Sequence, residues 1–167
     1  ADLWACAYST MRTTMMVFMI IAAAAMFGYA ITIIRLPVGV TEAVAQMDLG
    51  PLGFIIAVMA LIFVLGMFLE SIAIILITTP ILLPTLNALG IDLIWYGVLL
   101  MINLELAMIT PPVGMNLFAI KGITGAPLSE IVKGAAPYVS IMIIGMAILI
   151  AIPDLATWLP LRAGFGR

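Results

Sequence analysis

Asn103-Leu104-Glu105-Leu106-Ala107-Met108-Ile109-Thr110-Pro111-Pro112-Val113-Gly114-Met115-Asn116 lies inside an apolar run, residues 93–120, whose one formal charge is Glu105. Two successive prolines remove two backbone donors, and Pro111 biases Thr110 away from helical angles. Gly114 permits backbone angles that other residues resist. The pattern predicts a helix that opens at Leu93 and unwinds near Ile109. In a bilayer, carbonyls freed this way must be buried in protein or face a wet cavity. Two readings fit. One is a simple proline kink. The other is a functional break, in which unwound carbonyls hold a cation and a half-helix N-terminus favours an anion. The flanking polar groups of Asn103, Thr110 and Asn116 favour the second.

The preceding apolar run, residues 49–91, is 43 residues long and holds one charge, Glu70. That is too long for one crossing, which needs roughly 20 residues, and suits two helices. Gly66-Met67-Phe68-Leu69-Glu70-Ser71 stands at its centre, and Thr78-Thr79-Pro80 and Pro84 follow. The centre reads as the polar tip of a re-entrant hairpin, as the junction of two close-packed spans, or as an aqueous loop marked by Glu70. Length does not separate these. Glu70 and Glu105 are the charges inside the apolar stretches, and intramembrane carboxylates are functional candidates by default. Each also fits a structural role, Glu105 as an interhelix hydrogen-bonding group.

Two further runs carry no charge: residues 13–34, between Arg12 and Arg35, and residues 134–153, followed by a tail with Arg162 and Arg167. Residues 37–51 read as a loop with a short interfacial helix. Gly90-Ile91-Asp92 reads as a turn, with Asp92 placed to cap the next helix. Residues 127–133 form an amphipathic stretch before the last span. Tyr138 and Trp158 lie near span ends, where amphipathic rings favour the headgroup level. The Ala22-Ala23-Ala24-Ala25 run with Gly28 suits close helix packing. The 13 methionines read as pliable packing residues.

Composition agrees with a membrane setting. Of 167 residues, 66% are hydrophobic and 8% charged, too few to cover a water-facing surface. Without histidine and with the single Cys6, His-ligated metals, Ser-His-Asp triads and internal disulfides are excluded within the chain. No nucleophile stands with a base, so no enzyme is expected. The net charge of −2 leaves no footprint for nucleic acid. The basic residues divide evenly between the two sides and leave orientation open. The initial Ala1 reads as a processed start or as part of a longer polypeptide.

The sequence resembles the C-terminal part of the large membrane subunit of TRAP (tripartite ATP-independent periplasmic) transporters. Four stretches carry the resemblance: Leu65-Gly66-Met67-Phe68-Leu69-Glu70-Ser71, Thr79-Pro80-Ile81-Leu82-Leu83-Pro84, Leu89-Gly90-Ile91-Asp92, and the block from Asn103 through Asn116 into Leu117-Phe118. The resemblance implies an all-α integral membrane fold that is one inverted-repeat half. Its parts are a full-span helix, a re-entrant hairpin, a Pro-Pro-broken helix and a C-terminal span. Residues 1–51 would be a scaffold or arm helix with an interfacial loop. Residues 52–90 would be the hairpin and 93–123 the unwound helix of a transport domain. Residues 124–167 would be an amphipathic linker, the last transmembrane helix and a tail.

It further implies sodium-driven import of small organic acids, such as C4-dicarboxylates or sialic-acid-like anions, across the bacterial inner membrane. The expected partners are a periplasmic substrate-binding protein, a small membrane subunit, the remaining half of the large subunit, and lipid. No organic cofactor is expected, and sodium is the coupling ion. The candidate cation site combines carbonyls at Gly66, Ile109 and Gly114 with side-chain oxygens of Ser71, Thr110 and Asn116, around the break at Pro111 and Pro112. Because the first hairpin and its broken helix are missing, a non-transporting structural or assembly subunit, or a truncated fragment, is the alternative expectation.

Overall fold

The structure, a computed structural model, describes residues 2–35, 39, 42, 50–112 and 114–164. Those residues form α1 (Asp2–Ile33), α2 (Pro51–Gly66), α3 (Ser71–Ala88), α4 (Leu93–Met108), α5 (Met115–Thr124), α6 (Leu128–Ala151) and α7 (Asp154–Arg162), with no strand among them. Of the described helices, α3 and α6 are long and apolar enough to cross a membrane. The interfacial helix expected within residues 37–51 falls largely outside the described residues, as does Val113 of the break.

Helix α4 is the hub. It packs on α2, α6 and α7, while α1 lies against α3. The α2–α4 seam follows from sequence spacing. Phe54, Ile55, Val58, Met59 and Ile62 share one face of α2, and Trp95, Tyr96, Leu99, Leu100 and Leu104 share one face of α4. Ile74, Leu86 and Ile91 complete this core. Among lipid tails the hydrophobic effect gives little reason for helices to associate, so close packing and interhelical hydrogen bonds must hold the seam. Two such bonds span it and its neighbour. Asn103 Nδ2, fully buried, donates to the Met59 carbonyl on α2 at 2.9 Å. Trp95 Nε1 donates to the Leu149 carbonyl at 2.8 Å, in the last turn of α6.

Helix boundaries follow local chemistry where that chemistry is strong. Asp92 caps α4, its Oδ1 accepting from the N–H groups of Ile94 (2.8 Å) and Trp95 (3.0 Å). Gly90 precedes it at φ +66°, an angle that suits glycine. Elsewhere charge proves a poor guide to helix ends. Helix α1 begins at Asp2 and runs through Arg12, eleven residues ahead of the apolar run predicted to start at Thr13. The charge limits what sits in hydrocarbon, but nothing in the preceding Leu3-Trp4-Ala5-Cys6-Ala7 breaks a helix. Likewise α6 opens at Leu128, so the amphipathic stretch is its first turns rather than a separate element, and the tail folds as α7. Tyr138 consequently sits well inside α6.

Trp95→Phe keeps the ring volume roughly but leaves the Leu149 carbonyl without its indole donor. It should destabilise the chain by about 1 kcal/mol. Unfolding titrations in mixed detergent micelles check this, with Trp158→Phe as the exposed control.

Candidate functional site

The hairpin tip is built by its own backbone. The last carbonyls of α2 are taken up in a tight turn: Met67 N–H donates to Phe63 O (3.2 Å), and Phe68 and Leu69 N–H donate to Leu65 O (3.0 and 2.9 Å). Glu70 is then the N-cap of α3, its Oε2 accepting from Ala73 N–H at 3.1 Å. The Glu70 side chain therefore serves a helix end, and it is exposed. Glu105 is exposed on α4, whereas its neighbours Leu104 and Leu106 are buried.

The break begins where α4 ends. Ile109 leaves helical geometry at φ −108°, and a new helix, α5, starts at Met115 behind Gly114. Pro111 and Pro112, joined by a cis peptide, have no N–H to offer the carbonyls of Ala107 and Met108. The turn tightens instead: Ile109 N–H reaches Leu106 O at 3.3 Å and Thr110 N–H reaches Ala107 O at 3.2 Å. Thr110 Oγ1 also donates to Leu106 O, at 2.6 Å. Gly114 stands at φ +53°, and a Cβ there would lie 3.0 Å from Thr110 O and 2.9 Å from Leu117 Cδ1. Glycine is required twice at this point, by the left-handed angle and by the space.

Tip and break meet in space. Ser71 Oγ donates to Met108 Sδ at 3.1 Å across 37 residues of sequence. A Cβ on Gly66 would fall 2.7 Å from Ala107 Cβ, so the end of α2 approaches α4 to a distance that only glycine allows. Gly66 and Ser71 are thus brought to the last turn of α4, directly ahead of Ile109 and Thr110. The hydroxyls of Ser71 and Thr110 both donate to other groups, which leaves their oxygen lone pairs to accept. Asn116 is half-buried in the first turn of α5. Ala107 and Met108 did not stand out in the sequence, because a small and a flexible apolar residue give no signal without knowledge of what packs on them.

The clefts beside this junction are apolar. One, of about 270 Å³ and lined by Met59, Phe63, Asn103, Leu106, Ile143 and Met146 among others, lies between α2, α4 and α6. At its margin Asn103 Oδ1 is buried without a hydrogen-bond partner among the described residues. The other, of about 380 Å³, runs from Ile109 past Leu117 and Ile131 to Tyr138, between α5 and α6.

Comparison with known proteins adds to this geometry. The family described as "Tripartite ATP-independent periplasmic transporter, DctM component" matches residues 1–155. The C4-dicarboxylate TRAP transporter large permease protein DctM of Vibrio cholerae is 37% identical over 159 residues, 95% of this chain and 35% of that protein. The 2,3-diketo-L-gulonate TRAP transporter large permease protein YiaN of Escherichia coli is 33% identical over 162 residues, 97% of this chain and 38% of its own length. The ectoine TRAP transporter large permease protein TeaC of Halomonas elongata is 32% identical over 159 residues, 95% of this chain and 37% of its own length. The chain therefore spans a little over a third of the length of these curated relatives.

The tip–break contact makes a direct prediction. With Cys6 replaced by serine, the pair Ser71→Cys and Met108→Cys should form a disulfide readily under mild oxidation. Ser71→Cys with Met101→Cys, two turns back along α4, should not. Gly66→Val should cost about 1–3 kcal/mol by overpacking against Ala107 and lower the yield of the Ser71–Met108 cross-link.

Proposed function

The chain belongs to the DctM component family of tripartite ATP-independent periplasmic transporters, and from that premise we propose that it forms the ion-binding part of a sodium-coupled importer of small organic acids. The relatives are named as permeases rather than enzymes, and two of them for C4-dicarboxylate and 2,3-diketo-L-gulonate. Such an importer works in the bacterial inner membrane as a multi-pass protein. It receives substrate from a periplasmic binding protein, with a small membrane subunit beside it. The remaining two thirds of the permease completes the substrate site.

The single observation that carries this reading is the seating of the tip on the end of α4, Ser71 on Met108 and Gly66 on Ala107. It brings Gly66 and Ser71 to the last turn of α4, ahead of Ile109 and Thr110, and in this reading the Ser71 oxygen and the Gly66 carbonyl join Ile109, Thr110, Gly114 and Asn116 around the ion. Sodium is a hard cation that takes neutral oxygen donors. Hydroxyls whose protons point elsewhere, as those of Ser71 and Thr110 do, suit it. Helix length supports a re-entrant hairpin. Helix α2 has 16 residues and reaches roughly 24 Å, short of the ~30 Å hydrocarbon core, while α3, with 18, is only just long enough to cross, so we read the pair as a hairpin whose tip ends inside the bilayer. Residues 52–90 and 93–123 then act together as the transport unit. Residues 1–51 are its arm, and residues 124–167 supply the linker, the last span and the tail.

Coupling follows from charge. A cation held between tip and break by neutral oxygens leaves a net positive charge there and favours a substrate carboxylate next to it, so each ligand raises the affinity of the other. The α5 N-terminus opens onto the same junction without an acidic residue in its first turn, and its free N–H groups add positive potential.

In the complete transporter, Thr110→Ala should raise the sodium concentration for half-maximal uptake about tenfold, the equivalent of one lost hydrogen-bond-sized contact. Gly114→Leu should abolish sodium-dependent uptake, because leucine fits neither the left-handed angle nor the space. Uptake assays across a sodium series check both. Unchanged sodium dependence in both variants overturns the assignment.

A further inference from the structure

Helix α7 follows α6 after only Ile152 and Pro153. Since α6 is long and apolar enough to cross a bilayer, chain connectivity places α7 within a few ångströms of where that crossing ends. One side of α7 is fixed to the protein: Thr157 is 6% exposed, and the helix packs on α4 and α6. The other side is bare. Leu155, Trp158 and Leu159 are 59%, 56% and 66% exposed, and with Arg162 they recur at the i, i+3, i+4, i+7 spacing of one helical stripe. The Arg162 guanidinium lies over the Trp158 ring, 5.0 Å from its centre. That contact leaves the guanidinium N–H groups unused, and Arg162 has no acidic partner among the described residues.

The geometry points to α7 as an interfacial lipid-binding helix: its Leu155–Trp158–Leu159 stripe enters the acyl boundary, and Arg162, carried on the Trp158 face, pairs with a phospholipid phosphate. The stripe is wide enough for one face of a helix lying in the membrane plane, and tryptophan and arginine are the side chains that combine an apolar body with a polar end. The charge is also matched. A phosphate offers the two acceptor oxygens that a guanidinium fork receives. A soluble partner would have to reach the stripe at the level where α6 leaves the bilayer, where lipid is the abundant apolar neighbour; coverage by the rest of the permease is an outcome of the test below. This inference does not depend on the ion site.

The test uses the complete transporter reconstituted in vesicles of phosphatidylethanolamine and phosphatidylglycerol, with its native cysteines, Cys6 among them, replaced by serine and a spin label at Leu155→Cys or Leu159→Cys. Power saturation should show greater access to oxygen than to a water-soluble nickel chelate at both positions, with a depth of about 5–10 Å below the headgroups. Preferential access to nickel would mean that the stripe faces water. Exclusion of both reagents would mean that protein covers it. Either result overturns the proposal. A second measurement follows the association of spin-labelled phosphatidylglycerol relative to phosphatidylcholine. Arg162→Gln should reduce that preference about fivefold at low salt, as expected for one lost cation at the membrane surface. Arg162→Lys should restore most of it. An unchanged preference in Arg162→Gln overturns the phosphate contact.

Discussion

Two consecutive prolines without N–H groups set the terms for the rest of the molecule. A helix that meets Pro111 and Pro112 in a bilayer must stop, and the polar groups it releases need partners that lipid does not provide. The structure meets this demand in two ways. The final turn of α4 tightens, so that Leu106 and Ala107 carbonyls are taken by Ile109, Thr110 and the Thr110 hydroxyl. A separate piece of chain, the tip between α2 and α3, then covers the place where the helix gives out.

That cover is possible because small residues stand on both sides. Gly66 and Ala107 let two backbones approach, and the approach lets Ser71 reach Met108. In water such a contact would be a minor term beside apolar burial. Among lipid tails the balance shifts, because apolar surface gains little by leaving hydrocarbon and packing and polar contacts carry more of the association. Asn103 on Met59 and Trp95 on Leu149 belong to the same economy of few, well-placed bonds. One holds the first arm of the hairpin to α4; the other holds the start of α4 to the end of α6.

Glu70 and Glu105 attract attention because little else in their runs is charged. Yet Glu70 caps α3, and Glu105 lies on an exposed side of α4. Groups with far weaker signals, Ala107 and Met108, receive the tip. In the proposed ion site, neutral oxygens would suit a monovalent cation that is bound and released, whereas a buried carboxylate would carry its own desolvation cost.

The sequence by itself determined what depends on neighbours along the chain. The helix stop at Ile109 follows from Pro-Pro, the left-handed Gly114 from the turn it makes, the cap at Asp92 from its carboxylate one residue before α4, and the membrane setting from composition. These are local, short-range constraints, and each has a residue type that announces it. Tertiary structure alone decided that Ser71 finds Met108 across 37 residues, that α1 leans on α3 rather than on α4, and that α1 and α6 run past the charges expected to bound them. Such choices turn on shape and on the absence of a Cβ at one position. Those properties become informative only when two distant surfaces are brought together.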